Sequence, residues 1–176
     1  MNTSRTYPGL FSTPGVLMLA LVLLSGVGLG FGLNSWLEQR RIADVAQRGA
    51  QVMPFDLDRT LHVFERTGDG GLQTVTARAA DDHNQIALIR AHLREEAASF
   101  SQGDFSDPAA IHGDTMPGLA ELRARAGQID VRYSELPDGA QLSYRTDDPA
   151  LIEALHRWFA AQLSDHGQHA APGMQH

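Results

Sequence analysis

Hydrophobic and polar positions divide the chain into one uninterrupted apolar stretch and a patterned polar remainder. Residues 6–37 hold no charged side chain, and residues 16–33, VLMLALVLLSGVGLGFGL, are apolar almost throughout. A helix needs about 20 mainly apolar residues to cross a bilayer core. Residues 16–37 are therefore expected to form one transmembrane helix, with Trp36 as an interfacial anchor. A cleaved signal peptide is the alternative. The stretch after the apolar core, Gly-Leu-Asn-Ser-Trp-Leu, offers no small-x-small cleavage site, which favours an uncleaved anchor. A tail at residues 1–15 and a juxtamembrane linker at 38–51 flank it.

Residues 52–164 carry the patterning of a globular domain, and they contain an internal repeat. HVFERTGDGGLQTVTAR then ADDHNQIALIRAHLREEA is matched by VRYSELPDGAQLSYRT then DDPALIEALHRWFAAQL. Each unit predicts two strands joined at Asp-Gly, followed by a helix. Ile129, Val131 and Tyr133 alternate as a half-buried strand does. Ile86, Ile89, Leu93, Ala97 and Phe100 form one helical stripe, and Leu151, Ala154, Leu155, Trp158, Phe159 and Leu163 form another. Asp81 or Asp82, and Asp147 or Asp148, are N-cap candidates, and Pro149 suits a first helical turn. A short helix is expected near residues 117–126. The expected fold is α+β: two ββα units making a four-stranded antiparallel sheet with two long helices on one face, preceded by the transmembrane helix. The second sheet face would be open to a partner. Residues 165–176 read as a polar His/Met-containing tail.

Composition narrows the function classes. The formal charge is −7, and residues 1–41 contribute three arginines and one glutamate, so the domain is more acidic than the whole. Such a domain is a poor nucleic-acid binder, because phosphate recognition rests on Lys and Arg. The absence of cysteine excludes thiolate chemistry and suits an oxidising compartment. Lys and Arg counts around the apolar run favour a cytoplasmic domain. The short leading tail and the missing cysteines favour the periplasmic side of the inner membrane, which is the expectation adopted. Gly26 with Gly30, and Gly28 with Gly32, give G-x-x-x-G spacings suited to a homodimer.

No P-loop, G-x-S-x-G, H-E-x-x-H or C-x-x-C occurs. The distinctive stretch is GDFSDPAAIHGDTMPG, residues 103–118, with His112, Asp114 and Met116. A histidine, a carboxylate and a thioether suit a soft or borderline cation, copper in particular. The alternative is a structural loop with Met116 in the core. The tail adds His166, His169, Met174 and His176, a density that marks metal binding or a flexible terminus. Alignment of the two hairpins places His62 on the core side, as a satisfied core histidine or as a buried ligand. His92 and Glu96 are four apart on one helix and can meet.

From TLHVFERTGDGGLQTV through GDFSDPAAIHGDTMPG to LHRWFAAQLSDHG, residues 53–168, the chain resembles a family of small bacterial membrane-anchored proteins. Its members often carry the label aspartate carbamoyltransferase. The resemblance implies an anchored domain and assigns no catalytic residue. Transferase activity is not expected: the chain lacks an S-T-R-T-R loop and is too short for two larger α/β domains. The leading expectation is an anchored periplasmic metal-binding protein, with copper as its ion. A non-catalytic interaction module is second. An enzyme using His62 or His112 as general base is third.

Overall fold

The computed structural model describes residues 13–173, with side chains from residue 33 onward. The chain divides after Arg40 into two compact units. Helix α1, Thr13–Val52, begins in the first and ends in the second. In the first, the Arg40 guanidinium lies 4.0 Å from the centre of the Trp36 ring.

No helix among the described residues is long and apolar enough to cross a membrane. The expected anchor at 16–37, and the membrane as its partner, are corrected on this finding. The part of α1 with described side chains carries Glu38, Arg40, Arg41, Asp44 and Arg48. The apolar run at 16–32 lies outside the residues with described side chains, as do Gly26, Gly28, Gly30 and Gly32 of the expected dimer face.

The second unit is α+β. Strand β1 (Thr60–Thr67) and β2 (Gly70–Ala77) form the first hairpin and lead into α2 (His83–Ser101). Two short helices follow, α3 (Ser106–His112) and α4 (Leu119–Ala124). Strand β3 (Asp130–Leu136) and β4 (Gly139–Arg145) form the second hairpin and lead into α5 (Pro149–His166). The chain then adds β5 (Ala170–Pro172). The sheet order is β3-β4-β2-β1-β5. All pairs are antiparallel except β1 with β5, where His62 pairs with Ala170 and Phe64 with Pro172.

The expected sheet of four antiparallel strands is thus corrected to five strands of mixed direction. The reason lies in residues 165–172, which are not a free tail. Gly167 takes a positive φ of 52° at the end of α5. His169 Nδ1–H then donates to the Leu57 carbonyl at 3.0 Å, and Arg78 donates to the Gln168 carbonyl at 3.1 Å. These contacts lay the next three residues along β1. An Ala-Ala-Pro strand has no alternation to betray it.

Helix starts follow their caps. Asp82 accepts from the Gln85 amide, and Asp148 accepts from the Ala150 amide at 2.8 Å. Helix α2 packs on β4 and β3 while α5 packs on β2 and β1, against buried Phe64, Val75, Leu142 and Tyr144. Trp158, fully buried, sits edge-on to Phe100, Phe105 and Tyr144 at 5.8–6.0 Å between ring centres. Leu163 of the expected α5 stripe is only partly buried, whereas Gln162, Asp165 and His166 are buried.

The Asp-Gly hairpins form, with Gly70 at a positive φ of 149° in the first, whereas Gly139 in the second serves a close backbone approach. A Cβ at Gly139 would stand 2.0 Å from the Val75 carbonyl oxygen, because β2 and β4 backbones approach there. Gly139→Ala is expected to cost about 1–3 kcal/mol through this overlap. Urea unfolding measures it, with Gly68→Ala as the control, since a Cβ at Gly68 meets nothing within 4 Å.

Candidate functional site

The site grows from a polar interruption of the α2 stripe. Glu96 lies on the same face as Leu93, Ala97 and Phe100 and is only 8% exposed. One turn earlier stands His92, so the pair faces the same side of the helix. The turn after α2 supplies a third group. Gly103 adopts φ 82°, and the Asp104 carboxylate accepts from the Ser106 amide at 2.9 Å. Phe105 then stacks on Phe100, with ring centres 4.6 Å apart and planes 7° from parallel. This folds α3 back along α2 and brings Asp107, in its first turn, to the pair. One donor atom from each of His92, Glu96 and Asp107 lies within 4.8 Å of the others.

A cavity of about 40 Å³ adjoins these groups. Its lining includes His62 from β1, His112 from the end of α3, and Gln162 and His166 from α5. The His62 and His166 rings stack at 4.9 Å and 13°. The His112 ring meets His166 edge-on at 5.0 Å. His112 Nδ1–H donates to Asp165 Oδ2 at 2.9 Å, and Asp165 is also held by Arg41.

Electrostatics follow from burial. Desolvation, then the charge of Asp107 and a hydrogen bond with it, push the Glu96 carboxyl up to about 9. Burial and the neighbouring His166, Arg48 and Arg41 bring His112 down to about 3. Burial and His169 bring His166 to about 4. Burial, then His166, holds His62 well below its ordinary value, and burial lowers His92. The His112–Asp165 contact is therefore a hydrogen bond from a neutral imidazole. Neutral imidazoles keep a lone pair free for a cation.

Three buried polar atoms of cavity-lining residues have no partner among the described residues: His62 Nδ1, Gln162 Oε1 and Trp158 Nε1. Buried polar atoms are rarely left unpaired, so this wall suits a polar occupant. Two close carboxyls beside an imidazole suit a cation. Donor atoms on a tetrahedral zinc-sized ion, at ~2.0–2.2 Å each, stand about 3.3–3.6 Å apart. The three donors, within 4.8 Å of one another, would draw closer on an ion.

Among the described residues the expected histidine-methionine set does not converge, and this corrects the copper expectation. Met116 is 6% exposed and belongs to the hydrophobic core. Asp114 is exposed and pairs with Arg123 at 2.8 Å. His169 is committed to the Leu57 carbonyl and stands 3.7 Å from Asp58. Met174 and His176 lie outside the described residues. His112 and His166 do meet, and His166 in turn stacks on His62. His92 and Glu96 are joined by Asp107, which lies within the stretch 103–118 whose alternative reading was a structural loop. Its signal was present: Ser-Asp-Pro after a Gly-Asp-Phe turn places an acid at the start of a returning helix.

Fold and site together define a two-layer α+β protein with a buried histidine–carboxylate cavity between its helices and the β1 end of the sheet. No family model, curated protein or solved structure matches the chain. The chemistry of the site has to be read from its own residues.

Proposed function

We propose that this protein binds one divalent transition-metal ion in the cavity beside α2 and α3, through His92, Glu96 and Asp107. The observation that carries the reading is the mutual approach of these three donors within 4.8 Å, two from one helix and one from the next. The donor set is nitrogen and oxygen, which suits zinc, iron, cobalt or manganese rather than a thioether-seeking ion. The unpaired atoms of His62 and Gln162 support an occupant. The size of the cavity, about 40 Å³, suits an ion with one or two waters and not an organic substrate. Size thus sets the general-base enzyme second, although His62, His112 and two carboxyls do share the cavity. The absence of cysteine supports a periplasmic setting for such a site.

Titration of chelator-treated protein with zinc, cobalt, manganese and ferrous iron tests the reading. One equivalent is expected to bind at about micromolar Kd or tighter for at least one ion. An ion at about 100 times Kd should raise stability by about 2.7 kcal/mol. Binding to none of the four, or binding that survives replacement of all three ligands by alanine, overturns it.

A further inference from the structure

Three protein donors leave a transition-metal ion short of ligands. Structural zinc sites close with four protein donors, whereas open centres keep a position for an exogenous molecule. Among the described residues, no fourth histidine or carboxylate joins His92, Glu96 and Asp107 within 4.8 Å. All three line the interior cavity of about 40 Å³, so an ion among them borders that space. The space holds very few water-sized molecules.

Charge decides what the space accepts. Coordination needs both carboxyls ionised. Two carboxylates cancel a divalent ion, so an added anion would leave the centre net negative. The rest of the wall offers no compensation. No arginine or lysine lines the cavity, and burial holds His62, His112 and His166 neutral. An uncompensated charge is costly there.

The wall does offer hydrogen bonds. Gln162 is 4% exposed, and its Oε1 has no partner among the described residues. Trp158 stands one turn earlier on α5, fully buried, with its indole N–H also unpartnered. Together they supply one acceptor and one donor. Water, which both donates and accepts, complements them.

We propose that the ion held by His92, Glu96 and Asp107 keeps an open coordination position in this cavity and fills it with one neutral exogenous ligand, water, hydrogen-bonded to Gln162. The inference rests on the cation reading above and makes the centre a ligand-exchanging one. The rival account is a closed structural centre, in which both carboxylates bind through two oxygens and no water coordinates.

Cobalt(II) is the probe, with full-length protein. Proton ENDOR of the cobalt complex in H2O and in D2O should show strongly coupled, exchangeable protons of a bound water. Azide should perturb the cobalt d–d spectrum only with a Kd weaker than about 10 mM. Gln162→Leu removes the acceptor oxygen and should keep one-equivalent binding while changing the water-proton couplings. Cobalt bound without an exchangeable water proton overturns the open position and leaves the three-donor site standing. Tighter azide binding overturns the neutral ligand, and unchanged couplings in Gln162→Leu overturn the part of Gln162. Failure of the wild type to bind cobalt overturns the inference, and failure with zinc, manganese and ferrous iron as well overturns the cation reading.

Discussion

Glu96→Gln is expected to abolish cation binding and, at the same time, to make the cation-free protein more stable at neutral and alkaline pH. The two effects share one cause. Glu96 sits on the core face of α2, 8% exposed, with Asp107 beside it. Its carboxyl is pushed from 4.5 to about 9. The unfolded chain releases this proton above pH 4.5, while the folded chain holds it until about 9. Protons thus bind more strongly to the folded state, so stability falls as pH rises through that window. The fall approaches 1.4 kcal/mol per pH unit at most. Glutamine has no proton to lose and keeps the volume and one acceptor oxygen. At pH 8, with chelator present, Glu96→Gln should gain about 2–4 kcal/mol in urea unfolding. Cation affinity should meanwhile fall at least 100-fold, because a neutral amide replaces a charged ligand. A glutamate kept for structure alone would behave oppositely. A variant less stable than wild type at pH 8, or one that binds the ion normally, would remove Glu96 from the site.

The secondary structure of the second unit was largely legible because its signals are local. Asp82 and Asp148 cap the helices they were expected to start. Both Asp-Gly pairs lie at hairpins, although Gly139 is required by backbone approach between strands that pair far apart in sequence. What escaped is what depends on three dimensions. β5 is three residues long and is specified by the docking of His169 on Leu57, which no periodicity encodes. The anchor expectation rested on apolar content alone, and no described helix bears it out. The site was half visible. The i, i+4 spacing of His92 and Glu96 was in the sequence, as was the core-side register of His62. Their partners come from α3 and α5, and only the Phe100–Phe105 stack and the α5 packing bring those elements to the cavity. Density of His and Met pointed instead to a loop and a tail, where Met116 and His169 turned out to have structural partners.

Acid unfolding of the cation-free protein should occur between pH 6.5 and 4, above the range set by ordinary carboxylates. Three buried imidazoles meet around the cavity: His62 of β1, His112 of α3 and His166 of α5. The charged groups near them do not hold them protonated. Arg41 and Arg48 oppose a positive charge on His112, and Asp165 is already paired with Arg41. Burial brings His112 from 6.5 to about 3 and His166 from 6.5 to about 4. A depressed histidine means that the unfolded chain takes up its proton first as pH falls. Stability is intact above 6.5 and is lost progressively below it. Each group contributes up to ~1.4 kcal/mol per pH unit, so His112 and His166 together remove on the order of 5 kcal/mol by pH 4. That is comparable to the whole stability of many domains. Glu96 acts in the opposite direction over part of this range, recovering stability as pH falls towards 4.5. The acid limb of Glu96→Gln should therefore be steeper than that of wild type, by about one proton in the slope of unfolding free energy against pH. His166→Asn should make it shallower by about the same amount. Circular dichroism of chelator-treated protein between pH 8 and 3 measures both. An acid midpoint below pH 4, or identical slopes in all three proteins, would show that these imidazoles take up protons without unfolding the chain.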